Sequence, residues 1–228
     1  MLWRMQGQAA RHERHGRGKV KLLDLFCGAG GAAMGYYRAG FTDITGVDIK
    51  PQKNYPFKFI EADAMTFPLE GYDVIHASPP CQGYSSSMNH HTIKEYPLLI
   101  AEVRNRLKSV GCAWVIENVR PLRAIPAEHR LNGVILCGSA FGLRIWRHRW
   151  FEASVALMSP PCQHSIRGMN PYRTKSRAIS GITGTSDKKW QAAMGIDWMI
   201  GSEATLAIPP AYTEFIGKQL LASMAANT

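Results

Sequence analysis

From Lys19 onward, short apolar runs alternate with longer segments in which apolar positions recur at helical spacing. The runs Val20–Phe26, Ile44–Val47, Phe57–Ile60, Tyr72–Ala77, Ala113–Ile116 and Val134–Cys137 predict β-strands. Each is rich in Val, Ile, Leu or Phe, as suits a strand covered on both faces. Between them, Ala32–Ala39 stops at Gly40, and Pro97–Val110 starts on a proline and stops at Gly111, the punctuation of helices. A last helix is predicted over Pro210–Met224, with Tyr212, Phe215, Ile216, Leu220 and Met224 along one side. This alternation implies an α/β fold, a Rossmann-like parallel sheet with helices on both faces. Past Trp150 the pattern weakens, Ala153–Met158 is poor in strand signal, and Ser159–Ser186 is rich in Pro, Gly, Ser, Thr and Arg. That stretch reads as a small loop-rich basic insertion. The boundaries so drawn are a basic tail over 1–18, expected to be disordered, a main domain over 19–152, an insertion over 153–189 and a C-terminal segment over 190–228.

With 228 residues, 46% of them hydrophobic, the chain has room for one buried core. It holds no apolar run long enough to span a membrane and no secretory leader pattern. Five cysteines without a CxxC pair do not suggest a disulfide framework, so a reduced, cytoplasmic protein is expected. Charge sharpens the picture once it is located. Residues 144–189 carry nine Lys or Arg against two Asp or Glu, residues 1–18 carry four Arg against one Glu, and together they hold the whole +10 excess. So local an excess suits a polyanion footprint, although a solvated basic surface accounts for it equally well.

The first strand runs into Asp24–Gly31, DLFCGAGG, whose Gly28, Gly30 and Gly31 let backbone approach a ligand ahead of a helix. Asp48 ends the second strand about twenty residues after the glycines, where a carboxylate can accept ribose hydroxyls. Asp63 follows the third strand, near where an adenine would lie. With no Gly-x-x-x-x-Gly-Lys run, an adenosyl ligand without a polyphosphate fits better than ATP. Structural glycines beside surface acids are the plainer alternative.

The pentapeptide SPPCQ occurs twice, at Ser78–Gln82 and Ser159–Gln163. Only the first follows a strong strand, which places Cys81 over the carboxyl edge of the sheet as a candidate thiolate nucleophile. Cys162 is read as structural or incidental. Cys162 and His164 offer two metal ligands, to which His148 or Cys137 would have to be added; no matching second pair appears, and no metal is expected. Glu117 ends the fifth strand, where its acid can donate a proton into the same crevice. Arg147-His148-Arg149 can place one guanidinium on a ring carbonyl and another on an anion, or form an exposed basic edge strand.

Taken together these segments resemble the DNA cytosine-C5 methyltransferase family. DLFCGAGG is similar to its first cofactor motif, SPPCQGYS to its catalytic motif, IENV to its glutamate motif and RHR to its Arg-x-Arg strand. AIPPAYTEFIG, over 207–217, is similar to the last motif, which returns to close the cofactor pocket. The resemblance implies S-adenosyl-L-methionine as cofactor and a compact enzyme of phage or bacterial type, working in the cytoplasm of the bacterium or infected host. It implies that Cys81 attacks C6 of a cytosine flipped out of double-stranded DNA, Glu117 hydrogen-bonds or protonates N3, Arg149 holds O2 and Arg147 supports it. Phe26 and Ile49 would then flank the adenine, Asp48 would take the ribose and Asp63 the exocyclic amine. Gly28 and Gly30 would line the methionine end, and Pro80 would pack on the cofactor. Residues 83–96, with Tyr84, would form a mobile loop closing over DNA, with Ser85 on a phosphate. By charge, Arg167, Arg173, Lys175 and Arg177 of the insertion, which stands where the family carries a target-recognition domain, are expected on DNA phosphates. Two departures stand out. The glutamine expected before Arg-x-Arg is replaced near Ile145, and the last motif reads Gly217-Lys218 instead of Gly-Asn. A monomer is expected; a restriction endonuclease companion, an RNA substrate such as tRNA, and a non-catalytic DNA-binding relative stay open.

Overall fold

A computed structural model describes residues 19–84, 96–163 and 187–226. Seven strands form one sheet: β1 (Lys21–Leu25), β2 (Asp43–Asp48), β3 (Lys58–Glu61), β4 (Val74–Ala77), β5 (Ala113–Asn118), β6 (Val134–Leu136) and β7 (Arg149–Ala153), in the order β3-β2-β1-β4-β5-β7-β6. The helices are α1 (Gly31–Ala39), α2 (Ile100–Lys108), α3 (Asp187–Met194), α4 (Ser202–Leu206) and α5 (Pro210–Ala226). Strands β1 to β5 pair in parallel, as the pattern of apolar runs predicts. The expected parallel sheet is extended by β7, which runs antiparallel between β5 and β6, so the sheet as a whole is mixed. β7 is therefore interior to the sheet, and the edge-strand reading of the Arg-His-Arg run does not hold.

Strand alternation divides the core. Leu22, Ile44, Val74 and Val115 face α1 and α5 with Tyr36, Tyr212, Ile216 and Leu220. Leu23, Val47, Ile75 and Ile116 face α2 with Ile100, Val103 and Leu107. Helices α1 and α5 pack so closely that a Cβ on Gly35 would collide with the carbonyl oxygen of Pro210, so only glycine fits there. On the other face Arg104 of α2 grips buried Glu152 of β7 through Nε at 2.7 Å and Nη2 at 2.8 Å, a bidentate pair that fixes the antiparallel strand.

The segment predicted as an insertion begins inside β7, which ends at Ala153, and closes inside α3. Trp190, Ala193 and Met194 of α3 pack with Ala29, Ile145, Met199 and Ala204 as a third apolar cluster. Ile145, standing near the family's glutamine, is thus a core residue. Among the described residues no helix is long and apolar enough to cross a membrane.

Candidate active site

The same alternation that builds the core also makes an exception to it. Asp24 of β1 and His76 of β4 are paired in register, and both point to the α1 and α5 face, fully buried. Glu117, two residues past Val115 on β5, joins them on that face. Three ionisable side chains in an otherwise apolar layer mark a site, because each costs free energy to bury unless something there uses it.

That layer opens on a cavity of about 490 Å³ at the carboxyl ends of β1, β2, β4 and β5, within the usual range for ligand pockets. It lies at the switch point where the chain leaves β1 for opposite sides of the sheet. Phe26, Gly28, Asp48 and Ile49 line it at one end, and Pro80, Cys81, Glu117 and Arg149 line it as well. Met199, Glu203, Leu206, Ala207 and Ile208 complete its wall from the C-terminal segment. Phe26 has φ of 56°, the positive value that only this non-glycine adopts among the described residues. Ile49 is 66% exposed, an apolar side chain left open at the mouth. Asp48 accepts the backbone N–H groups of Gly28 at 3.1 Å and Lys50 at 3.0 Å, so it shapes the glycine turn as well as facing the cavity.

The Ser-Pro-Pro-Cys turn is held from below. Ser78 N–H donates to Leu25 O of β1, and Asn118 Nδ2 donates to Pro79 O at 2.9 Å. Burial pushes the Cys81 thiol up, Arg149 and Arg147 pull it down, and Glu117 pushes it up again. Burial likewise raises the Glu117 carboxyl above the ordinary range, against the pull of Arg149, Arg147 and a hydrogen bond with Ser78. Arg149 Nε stands 3.0 Å from Glu117 Oε1, yet out of line for a hydrogen bond, so that buried oxygen has none among the described residues. An orphaned acceptor on the cavity wall is suited to a proton-bearing or proton-accepting group of a ligand.

His76 extends the site inward. Its Nδ1 lies 2.9 Å from Tyr36 Oη and its Nε2 lies 2.8 Å from Ser78 Oγ. Burial holds its pKa down to about 3, so the ring is neutral. The order of donors that satisfies every group runs from Tyr36 hydroxyl to Nδ1, from Nε2–H to Ser78, and from Ser78 hydroxyl to Glu117.

Not every expected residue reaches the cavity. Gly30 caps α1 and packs on Tyr55 and Pro56, and Asp63 accepts Met65 N–H at 2.8 Å in a turn after β3; neither lines the cavity. Arg147 turns away to donate through Nη2 to Thr205 O of α4 at 2.8 Å, while its own carbonyl accepts the Tyr212 hydroxyl of α5. It thereby ties the chain just ahead of β7 to α4, which walls the cavity, and to α5, and burial foremost lowers its pKa to about 9. Tyr84 is fully buried and its hydroxyl accepts Ile100 N–H at 3.0 Å, which fixes it at the start of α2 and corrects its placement in a mobile loop. The rest of that loop with Ser85, together with Arg167, Arg173, Lys175 and Arg177, lies outside the described residues. Cys162 does not line the cavity; its Sγ stands 3.4 Å from His148 Nε2.

Sequence reasoning passed over Asp24, His76, Asn118 and Trp198. Trp198 donates to Ala29 O at 2.8 Å and clamps the glycine turn from the C-terminal segment. A histidine inside the apolar run Val74–Ala77 was the one signal available for His76. Asp24 Oδ1 has no hydrogen-bond partner among the described residues, and burial raises its pKa well above the carboxylate range.

Known proteins resemble this chain in sequence and in fold. The model for C-5 cytosine-specific DNA methylases matches residues 20–142. The chain is 34% identical over 126 residues to Type II methyltransferase M1.HphI of Haemophilus parahaemolyticus, covering 44% of this chain and 32% of that protein. It is 30% identical over 118 residues to Type II methyltransferase M.HgiGI of Herpetosiphon aurantiacus, covering 46% of this chain and 94% of that one. The chain spans about a third of the length of M1.HphI, and 38% of Type II methyltransferase M.HgiDI is likewise matched. In fold it is similar to the Entamoeba histolytica methyltransferase EhMeth, at TM-score 0.61 and 12% identity over 91% of this chain and 99% of that chain. With more than half of its residues matched, on a sheet that brings the matched motifs to one cavity, the chain belongs to the C-5 cytosine-specific DNA methylase family.

Proposed function

We propose that this protein methylates C5 of a cytosine flipped out of double-stranded DNA, with Cys81 as the nucleophile and Glu117 as the acid. One observation carries this reading: a single cavity is lined by Cys81, Glu117 and Arg149 together with Phe26, Asp48 and Ile49. A soft nucleophile is needed because C5 of cytosine is too electron-poor to take an electrophilic carbon unaided. Attack of the Cys81 thiolate on C6, with a proton delivered to N3 from Glu117, turns C5 into an enamine carbon. Once this C5 has taken the electrophilic carbon, loss of its proton to a base expels the Cys81 thiolate, and return of the N3 proton to Glu117 restores the ring. Arg149, fixed beside Glu117, offers its remaining N–H groups to the O2 carbonyl.

The residues fit S-adenosyl-L-methionine. Asp24 lines the cavity and its buried Oδ1 has no hydrogen-bond partner among the described residues, which suits a hydrogen-bond donor of the ligand, and a Cβ on Gly28 would meet nothing within 4 Å. Phe26 and Ile49 would hold the adenine, Asp48 the ribose, and Asp24 and Gly28 the methionine end. When bound, this group supplies the electrophilic methyl carbon. Asp24→Asn should weaken S-adenosyl-L-methionine binding roughly 10- to 100-fold by calorimetry, the scale of a missing charged hydrogen bond. The same change should raise Tm at neutral pH. A raised carboxyl pKa means ionisation opposes folding above the unfolded value, and asparagine removes that opposition.

Transfer of labelled methyl from S-adenosyl-L-methionine to duplex DNA, recovered as 5-methylcytosine, tests the reading. Duplex carrying 5-fluorocytosine should trap Cys81 covalently, because fluorine at C5 cannot leave as a proton. Transfer to tRNA and not to DNA would replace the substrate; transfer to neither would reject the activity. The basic segment is assigned to phosphates. Neutralising Arg167, Arg173, Lys175 and Arg177 together should weaken DNA binding. The slope of log affinity against log salt should become shallower by about 0.9 for each phosphate left without its cation. The methylated sequence should stay the same, as groups that bind phosphate carry no base information.

A further inference from the structure

The pairing of β6 with β7 places Leu136 opposite Arg149, so the next residues out, Cys137 and His148, face one another at the end of that ribbon. Cys162 arrives at the same place from the stretch after β7. This stretch is laid along α5 by mutual hydrogen bonds of Met158 with Gln219, and against the turn after β6 by Gln163 N–H to Ser139 Oγ at 3.2 Å. The ligand atoms of Cys137, His148 and Cys162 all lie within 4.8 Å of one another, with Cys162 Sγ and His148 Nε2 at 3.4 Å. A tetrahedral zinc ion, with sulfur at about 2.3 Å and nitrogen at about 2.0–2.1 Å, sets its ligand atoms roughly 3.5–3.8 Å apart. Three donors from three separate stretches of chain thus converge at nearly the spacing such an ion imposes.

We propose that Cys137, His148 and Cys162 bind one zinc-type divalent cation that fastens the chain after β7 to the end of the β6–β7 ribbon. Two thiolates and an imidazole form a soft donor set, which favours zinc over magnesium or calcium. None of the three lines the cavity, so the ion is structural and stands outside the reaction. Its position still bears on the active site. His148 is the residue between Arg147 and Arg149, so a ligated imidazole fixes the backbone from which the Glu117 partner projects. The proposal stands apart from methyl transfer, and its test reads metal directly.

Full-length protein, purified under reducing conditions without chelator, should contain one zinc per chain by elemental analysis. After chelation, titration with Co²⁺ should develop thiolate-to-cobalt charge transfer and tetrahedral d–d bands that saturate at one ion per chain. Cys162→Ser should lose this spectrum, while Cys112→Ser, a change at another free cysteine, should keep it. A second measurement needs no variant: saturating Zn²⁺ should protect Cys137 and Cys162 of the wild-type chain from alkylation, and chelation should expose both. Absence of stoichiometric metal, a cobalt spectrum undiminished in a folded Cys162→Ser protein, alkylation indifferent to Zn²⁺, or a Cys137–Cys162 disulfide in protein alkylated at lysis would each overturn the proposal.

Discussion

Cys81→Ser should abolish methyl transfer, by on the order of 10⁴-fold or more, the scale of losing a nucleophile that acts as a unit with its neighbours. Cofactor binding and Tm should be close to wild type. Cys81 is half-buried in a turn that is held through Pro79 O and Ser78 N–H, and neither of those bonds involves the sulfur. Serine preserves shape but exchanges a polarisable thiolate for an alkoxide that the site cannot generate. Because burial raises the wild-type thiol, only a minor fraction is thiolate near neutrality. The rate of Cys81 alkylation should therefore climb as pH rises across the neutral range. Arg149→Ala removes the foremost pull on that thiol, so its alkylation should slow at fixed pH. Trapping of Cys81→Ser on 5-fluorocytosine DNA, or methylation surviving in this variant, would remove the thiol from its assigned role.

The half of the site nearest the glycine turn was legible in sequence because local chemistry specifies it. Short apolar runs define β1 to β5, and the residues that leave their carboxyl ends, Phe26 to Gly28, Asp48, Ser78 to Cys81 and Glu117, converge wherever such a sheet forms. What the pattern hid depends on partners far along the chain. β7 starts with Arg149 and contains Glu152, and its polar side chains look solvent-facing until Glu117 and Arg104 are found beside them. α3 and α4 are too short for a periodic signal, and they fold against Ala29 and Ile145, distant in sequence. The resemblance has Arg147 supporting Arg149, but it says nothing of the bond that Arg147 makes to Thr205 O of α4, 58 residues along the chain. The glycine turn carries the same lesson through Trp198 and Glu203, which reach Ala29 and Asn54 across well over a hundred residues.

Glu117→Gln should lower kcat by about 10²–10⁴-fold, the range for removing a general acid, while the protein keeps or gains stability. The two effects separate because burial raises the Glu117 carboxyl. Above the unfolded value the folded chain holds this proton more tightly than the unfolded chain does. Stability from this group is therefore full at low pH and declines as pH rises through the folded value. Glutamine, always neutral, avoids that decline, so Tm of the variant at alkaline pH should equal or exceed wild type. For the reaction the sign is the same: an acid that must protonate N3 works while protonated, so wild-type kcat should fall as pH rises past the Glu117 value. That limb should vanish in the variant. The thiol distinguishes proton donation from simple electrostatics. Glu117 pushes Cys81 up, so its neutralisation should make Cys81 a better thiolate and hasten its alkylation. Methyl transfer that fell while thiol reactivity rose would place the loss at the proton on N3. A variant whose methylation rose along with its alkylation would show that the carboxylate restrains the nucleophile and donates nothing.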